Sequence, residues 1–293
     1  MTDQATGLVV VDKEPGWTSH DAVARVRRIF GQRRVGHAGT LDPDATGLLL
    51  VGLGRFTRML RFLTGLDKTY TGQVVLGVAT DTLDSSGTVT GEWDMSAVTL
   101  AQARDAAATL TGRIDQVPPM VSAVKVGGRR LHAIAREGVE VERQPRPVTV
   151  HRFDVRQGPA PGVLDVVVRC SSGTYVRSLA ADLGTALGGG AHLRNLRRTA
   201  VGSFTEADAV QLADLGPDRL LTPADALRDL DPVTVPPDIA LLVSRGLPLD
   251  RVPLGAGGDG PWALLDPGGR LLAVYEATDT DRIRPAVVLA AAG

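Results

Sequence analysis

The stretch GHAGTLDPDATG, residues 36–47, constrains the fold of this 293-residue chain more than any other. It contains three glycines, one proline, one histidine and two aspartates within twelve residues. Glycine and proline at this density favour a loop with fixed, unusual backbone angles over a helix or a strand. A plain turn needs only one aspartate, so the pair Asp42 and Asp44 calls for a chemical explanation.

The residues alone leave three interpretations of this pair open. Asp42, Asp44 and Thr46 form the D-x-D-x-T triplet of aspartate-dependent phosphatases of the haloacid dehalogenase type, which needs magnesium and a buried strand just before the triplet. Asp42 alone could be a nucleophile, because a flat base can closely approach a loop that lacks bulky side chains. Both aspartates could also be turn residues on either side of Pro43.

The composition is that of a globular protein. Hydrophobic residues make up 43% and charged residues 22% of the chain. No apolar run reaches the roughly 18 residues of a membrane span, and the first residues lack the pattern of a signal peptide. The single cysteine, Cys170, excludes an intrachain disulfide and a cysteine-based zinc cluster. We therefore expect a cytoplasmic protein without a membrane segment.

The net charge of −1 conceals an uneven distribution. Lys and Arg outnumber Asp and Glu by nine to three in residues 25–68, by eight to four in 113–152 and by five to one in 169–198. Residues 199–293 carry seven basic and fourteen acidic side chains. The basic segments are either solvated surfaces or parts of a face that binds a polyanion.

Hydrophobic periodicity predicts an α/β (α+β) chain. Strands are expected at GLVVVDK, KTYTGQVVLGVATDTLD, PVTVHRFDV and LDVVVRC, and helices at HDAVARVRRIF, RFTRMLRFLTG, TLAQARDAAATLTG and after SSGTY. A basic excursion at about residues 113–147, with a short helix at RRLHAIAREG, is expected to leave a sheet and return to it. The composition then shifts to short strands, Gly/Pro turns and acidic residues, which predicts domains at 1–231 and 232–293.

Six blocks of the sequence resemble, in order and spacing, the bacterial tRNA pseudouridine-55 synthases of the TruB type. They span roughly residues 8–202 and read LVVVDKEPGWTSHDAV, RVGHAGTLDPDATGLLLVGLG, KTYTGQVVLGVATDT, QVPPMVSAVKVGGRRLHAIAREGVEV, SSGTYVRSLAADLG and GGGAHLRNLRRTAVG. The resemblance implies a mixed, mainly antiparallel sheet flanked by helices, an RNA-gripping insertion and a small β-rich, PUA-like C-terminal domain. It also implies an enzyme that isomerises uridine 55 of the tRNA T loop to pseudouridine by base flipping, without metal or organic cofactor.

The resemblance assigns roles to individual residues. The nucleophilic aspartate of the family falls on Asp42, and its expected ion-pair partner is Arg177. Tyr70 matches the tyrosine that packs against the uracil ring, and the further substrate contacts are His37, Tyr175 and Leu196. The possible contacts with the RNA backbone are Lys13, Lys68, Lys125, Arg129, Arg130 and Arg136, of which the first two could instead merely flank their strands.

The physical chemistry of base flipping agrees with these roles. Extruding a stacked base costs roughly a few kcal/mol, and stacking on Tyr70 could return about 1–3 kcal/mol of it. Arg177 would keep Asp42 ionised in a site with little water. The carboxylate could add to C6 of uracil or attack C1′ of the ribose, and the sequence does not choose between them.

The expected partner is the T arm of tRNA. No obligatory protein partner is expected, and the chain is expected to act as a monomer. The alternative hypothesis is a non-catalytic protein that binds or folds tRNA on the same scaffold.

Overall fold

The computed structural model describes residues 5–122, 125–126, 128–130, 137, 139 and 141–289. Its helices are α1 (Ser19–Ile29), α2 (Leu60–Thr64), α3 (Leu100–Thr109), α4 (Val176–Ala186) and α5 (Pro237–Ser244). Its strands are β1 (Gly7–Lys13), β2 (Val35–Ala38), β3 (Thr46–Leu53), β4 (Lys68–Leu76), β5 (Val78–Thr80), β6 (Val89–Glu92), β7 (Gly112–Gln116), β8 (Lys125–Val126), β9 (Arg129–Arg130), β10 (Arg146–Gln157), β11 (Val163–Cys170), β12 (Ala191–Val201), β13 (Phe204–Thr205), β14 (Val210–Gln211), β15 (Asp231–Thr234), β16 (Leu249–Asp250), β17 (Trp262–Leu265), β18 (Leu271–Ala277) and β19 (Arg282–Val288). In the described part of the chain, no helix combines the length and the apolar character needed to cross a bilayer.

The chain divides into two compact units. The first consists of Met1–Pro43, Leu48–Thr64 and Gly202–Gly293, and the second of Asp44–Gly47 and Gly65–Val201. Both contain parallel and antiparallel strand pairs, with antiparallel pairs in the majority. This mixed, mainly antiparallel architecture with helices confirms the predicted fold class. The boundary between residues 231 and 232 stays a prediction.

The second unit is built on five strands in the order β12–β4–β11–β10–β7, each antiparallel to the next. Side chains of these strands, such as Val74 and Val168, share a buried core with Leu179 and Leu183 of α4. The helix α3 lies in the predicted segment, and Thr99 is its N-cap, because the Thr99 hydroxyl accepts a hydrogen bond from the amide of Gln102. These contacts fix the strands that carry the predicted substrate residues.

The strands β7 and β10 border residues 117–145, which lie within the predicted insertion of about residues 113–147. Gln116 at the end of β7 pairs with Arg146 at the start of β10, so the chain leaves the sheet and returns to it at one edge, as predicted. Inside the insertion, β8 and β9 form a hairpin. The helix predicted at RRLHAIAREG is wrong at its first two residues, which belong to β9, and its residues 131–136 and 138 lie outside the described residues.

The first unit contains the strand order β14–β1–β3, with β2 antiparallel to β3. Helix α1 packs Val23 and Val26 into a core that includes Val9 and Leu49. Thr18 is the N-cap of this helix, and it forms a reciprocal capping box with Asp21. The helix is therefore fixed at the end that faces the turn after β1.

A further sheet of the first unit has the order β15–β17–β18–β19–β16 and begins at Asp231. Trp262 and Tyr275 are fully buried in its core, and the Tyr275 hydroxyl donates to the carbonyl of Leu247 at 2.8 Å. The predicted β-rich C-terminal region is therefore confirmed. It also contains α5, which was not predicted; this helix has Pro237 in its first turn, a position where proline costs no hydrogen bond.

Candidate active site

The glycine-rich stretch is a loop only at its centre, over residues 39–45. Its two ends are strands, which contradicts the prediction, because Gly36 and His37 lie in β2 and Gly47 lies in β3. Gly36 pairs with Gly52 of β3, and a Cβ at Gly52 would stand 2.8 Å from a methyl carbon of Leu60. The glycine at position 52 therefore makes room for a packed leucine, a requirement that local sequence patterns do not reveal.

The main chain is held on both sides of Asp42. On one side the Ser19 hydroxyl accepts from the amide of Leu41 at 2.9 Å and donates to its carbonyl at 3.2 Å. On the other side the carbonyl of Pro43 accepts from the Lys13 ammonium group at 2.9 Å and from the amide of Gly16 at 3.0 Å. Asp42 itself is partly exposed, so the loop presents its carboxylate from a fixed backbone.

Lys13 is completely buried and donates to three main-chain carbonyls, those of Glu14, Trp17 and Pro43. This geometry favours a role of Lys13 in supporting the loop, and its contact with RNA phosphates stays a prediction. A buried ammonium group surrounded by carbonyl oxygens is less available to a polyanion at the surface.

His37 lies on β2, opposite Val51 of β3, and is partly exposed. Its ring makes an edge-to-face contact with the ring of His20, with the centroids 5.6 Å apart and the planes at 84°. His20 is exposed on the first turn of α1. The contact holds the partly exposed His37 ring against α1.

In the second unit, Tyr70 and Leu196 lie on the neighbouring strands β4 and β12. Both are half-buried and pack against the core of this unit. Between the pairs Arg194 with Gln73 and Arg197 with Thr71, β12 has two residues where β4 has one, which makes a β-bulge. Leu196 is one of the two bulge residues, and the other, Asn195, adopts a left-handed φ of 52°. A bulge of this kind redirects side chains, and sequence patterns did not predict it.

Gly47, in the second unit, lies against β12. Its φ is 97°, and a Cβ added there would stand 2.2 Å from the carbonyl oxygen of Arg198. Gly47 pairs with Arg198, and Thr46 pairs with Arg197, as two parallel strands. Only glycine can bring the backbone this close to β12.

Tyr175 and Arg177 lie at the start of α4. Tyr175 is the N-cap residue, and Arg177 is in the first turn with 4% of its surface exposed. The Arg177 guanidinium donates to the carbonyls of Thr82 and Val121, both at 2.8 Å, and its Nε lies 3.6 Å from a carboxylate oxygen of Asp84. The predicted pairing of Arg177 with Asp42 stays a prediction.

Lys68 occupies the start of β4, two residues before Tyr70, and is 5% exposed. Its ammonium group donates to the carbonyl of Leu66 at 2.6 Å. Burial, with a smaller contribution from the nearby Arg198, lowers the pKa of Lys68 from 10.5 to about 8. As for Lys13, this burial favours the alternative that Lys68 merely flanks its strand over a contact with RNA phosphate.

Cys170 is also buried. Burial raises the pKa of its thiol to about 11, which leaves it a poor nucleophile.

The predicted phosphate contacts of the insertion are described only in part. Arg129 is exposed and forms an ion pair with Glu137. Lys125 and Arg130 pair with each other through their main chains in the hairpin of β8 and β9. Arg136 lies outside the described residues.

The phosphatase interpretation required a metal site. Across the described residues, no three His, Cys, Asp or Glu side chains form a group that could hold a metal ion. The strand β2 ends at Ala38, four residues before Asp42, whereas that interpretation needs a strand directly before the triplet.

Comparison with known proteins identifies one family over most of the chain. Residues 27–176 match the TruB family pseudouridylate synthase (N terminal domain), and residues 177–241 match the tRNA pseudouridylate synthase B C-terminal domain. The chain is 48% identical over 284 residues to a tRNA pseudouridine synthase B of Arthrobacter sp. (strain FB24), covering 92% of each chain. It is 50% identical over 250 residues to a tRNA pseudouridine synthase B of Symbiobacterium thermophilum, covering 83% of each.

The fold is also similar to that of a chain in the crystal structure of a Cbf5-Nop10-Gar1 complex. The TM-score is 0.76 at 25% sequence identity, and the match covers 98% of this chain and 85% of that one.

Proposed function

This chain belongs to the TruB family of pseudouridylate synthases, and we propose that it converts uridine 55 in the T loop of tRNA to pseudouridine. The reaction breaks the bond between C1′ of the ribose and N1 of the base and joins C1′ to C5 of the same base. A proton leaves C5 and N1 gains one, so the product is an isomer of the substrate. The relatives described above are tRNA pseudouridine synthases B, which supports tRNA as the substrate.

Asp42 is the proposed nucleophile. The proposal depends on the fixed backbone around it, since Ser19 holds Leu41 and Lys13 holds Pro43. A carboxylate on a fixed loop needs little ordering before it attacks, which lowers the entropic part of the barrier. Asp44 is exposed two residues further along, so it is the natural control for Asp42.

The other site residues act on the flipped base. Tyr70 packs against the uracil ring and returns part of the unstacking cost, and Tyr175 and Leu196 line the pocket. Arg177 supplies a buried positive charge that favours the ionised form of Asp42. His37 contacts the surroundings of the target nucleotide. No metal or organic cofactor is required by these roles.

The insertion grips the RNA through its basic side chains. Arg129 is exposed and forms an ion pair with Glu137. A phosphate of the RNA could take the place of Glu137 as the partner of Arg129. Backbone contacts of this kind make binding weaker at higher salt without changing which base is modified. The protein acts on the T arm as a monomer in the cytoplasm.

The decisive experiment maps pseudouridine in a tRNA transcript after incubation with the purified protein. The tRNA is folded first and EDTA is then added, and pseudouridine is located by carbodiimide labelling and primer extension. We expect a single stop in the T loop with the wild type and with Asp44→Asn, and none with Asp42→Asn. Binding of tRNA by Asp42→Asn should be largely retained.

Each alternative has its own outcome. If the wild type binds tRNA tightly but makes no pseudouridine with or without magnesium, the chain is a binding or folding protein. If Asp42→Asn forms product at the wild-type rate, the nucleophile is wrong although the reaction is right. A stop outside the T loop would overturn the assignment of uridine 55.

A further inference from the structure

Gln116 is a buried polar residue to which the reaction gives no role. It ends β7, where the insertion begins, and is 2% exposed. Its side-chain amide donates to the carbonyl of Tyr175 at 3.1 Å and accepts from the amide of the same residue at 2.8 Å. One side chain therefore contacts both main-chain polar groups of the N-cap residue of α4.

This double contact adds to the hydrogen bond that the Tyr175 carbonyl accepts from the amide of Leu179 at 3.2 Å. Tyr175 is the N-cap of α4, but its own side chain makes no capping hydrogen bond. A primary amide carries both the donor and the acceptor that these two main-chain groups require at any ordinary pH, and glutamine has the length to reach them. A buried polar side chain is retained in this way only when its hydrogen bonds are made.

The same turn of α4 holds the start of the insertion at two further points. The Ser178 hydroxyl donates to the carbonyl of Val117 at 3.1 Å, and the Arg177 guanidinium donates to the carbonyl of Val121 at 2.8 Å. Both donor residues are 4% exposed. The first residues of the insertion and the first turn of α4 thus form one hydrogen-bonded block, which we call the Gln116 latch.

We propose that Gln116 is a positioning residue for pseudouridine formation, which acts by setting the main chain of Tyr175 and thereby couples the RNA-gripping insertion to the base pocket. The inference rests on the proposed function, since it takes Tyr175 to line the pocket. Its consequence is that loss of the latch slows the chemical step more than it weakens tRNA binding.

The test compares Gln116→Met with the wild type in single-turnover assays on excess enzyme, with tRNA binding measured separately. Methionine has a similar length and volume but lacks both hydrogen-bonding groups. We expect the rate of pseudouridine formation to fall about 10- to 100-fold while the Kd for tRNA changes less than about 3-fold. In a Tyr175→Ala background the same substitution should add much less, because the side chain that Gln116 positions is then absent.

A matched control separates positioning from general destabilisation. Gln32 is another buried glutamine, whose amide donates to the carbonyl of Ala5, and it has no place in the reaction. Gln32→Met should lower the Tm to a similar extent and leave the single-turnover rate unchanged. If Gln116→Met does not fold, Gln116→Glu serves instead: its neutral carboxyl can accept and donate as the amide does. Its rate relative to the wild type should therefore rise as the pH falls from about 8 to about 6.

The outcomes separate this inference from the function on which it rests. A wild type without activity contradicts the proposed function. An active wild type with an equally fast Gln116→Met, or an additive double variant, overturns the role of Gln116 alone. A loss confined to Kd would overturn it too, because the latch would then serve only to grip RNA.

Discussion

The ammonium nitrogen of Lys13 lies 2.9 Å from the carbonyl oxygen of Pro43, although 30 positions separate the two residues in the sequence. Lys13 ends β1, and Pro43 directly follows the proposed nucleophile. The contact therefore fixes the loop of Asp42 relative to the buried strand β1. A charge that is fully buried must be compensated, and here three carbonyl dipoles compensate it.

Replacement of Lys13 by methionine should destabilise the protein. The carbonyls of Glu14, Trp17 and Pro43 would each lose the donor that the buried ammonium group supplies. We expect the free energy of unfolding, measured in urea, to fall by roughly 2–4 kcal/mol. Arg25→Met, at an exposed position of α1, should change it by less than about 0.5 kcal/mol. A loss below about 1 kcal/mol for Lys13→Met would show that the buried contacts contribute little.

Gly47→Ala should be among the most damaging single-methyl additions in the chain. The new Cβ would meet the carbonyl oxygen of Arg198 at 2.2 Å and would also have to adopt a φ of 97°. Strain and main-chain displacement together should cost roughly 2–4 kcal/mol in urea unfolding. Gly188→Ala is the control, since its φ of 85° is equally left-handed but no atom lies within 4 Å of the added carbon. It should cost about 1–2 kcal/mol, and equal losses in the two variants would contradict the steric explanation.

Local sequence patterns predicted the elements whose signals are local. The helix that follows Thr99 and the strand β4 depend mainly on neighbouring residues. The return of the insertion to the sheet was also predicted, because a proline-rich, basic stretch between two strand signals has few other placements. In these places residue preference and tertiary packing agree.

The candidate site depends on contacts that no local pattern contains. Ser19 reaches Leu41 across 22 positions, and Gln116 reaches Tyr175 across 59. The sequence does not distinguish Gly52 from a glycine in a turn. A glycine is needed there because Leu60 packs directly against its backbone. The bulge at Leu196 likewise follows from pairing with β4, and a strand pattern alone cannot show which residue will be extra. The resemblance to a family supplied the candidate site residues. The structure adds residues such as Ser19 and Gln116, which hold the main chain next to those candidates.

Tyr70→Leu should slow pseudouridine formation by removal of the stacking surface. A leucine keeps the half-buried apolar contact with the core but has no flat face for uracil. Stacking of one base on an aromatic ring is worth about 1–3 kcal/mol, so kcat/KM should fall about 5- to 150-fold. Phe62→Leu, which removes another half-buried ring outside the predicted site, should leave kcat/KM within about 2-fold of the wild type. A fall of the same size in both variants would point to a loss of stability and not of stacking.

Lys68 should make stability depend on pH in the alkaline range. Its pKa is about 8 in the folded protein, against 10.5 for an unperturbed lysine, so between these values the unfolded chain binds more protons. The free energy of unfolding must then rise with pH in this window, because deprotonation relieves the cost of a buried charge. Relative to Lys68→Met, which lacks this titration, the wild type should gain about 2 kcal/mol between about pH 7.5 and 9.5. Urea unfolding of both proteins at several pH values measures the difference, in which the other titrating groups cancel. A difference that stays constant across the window would mean that the Lys68 ammonium group is solvated or fully paired in the folded state.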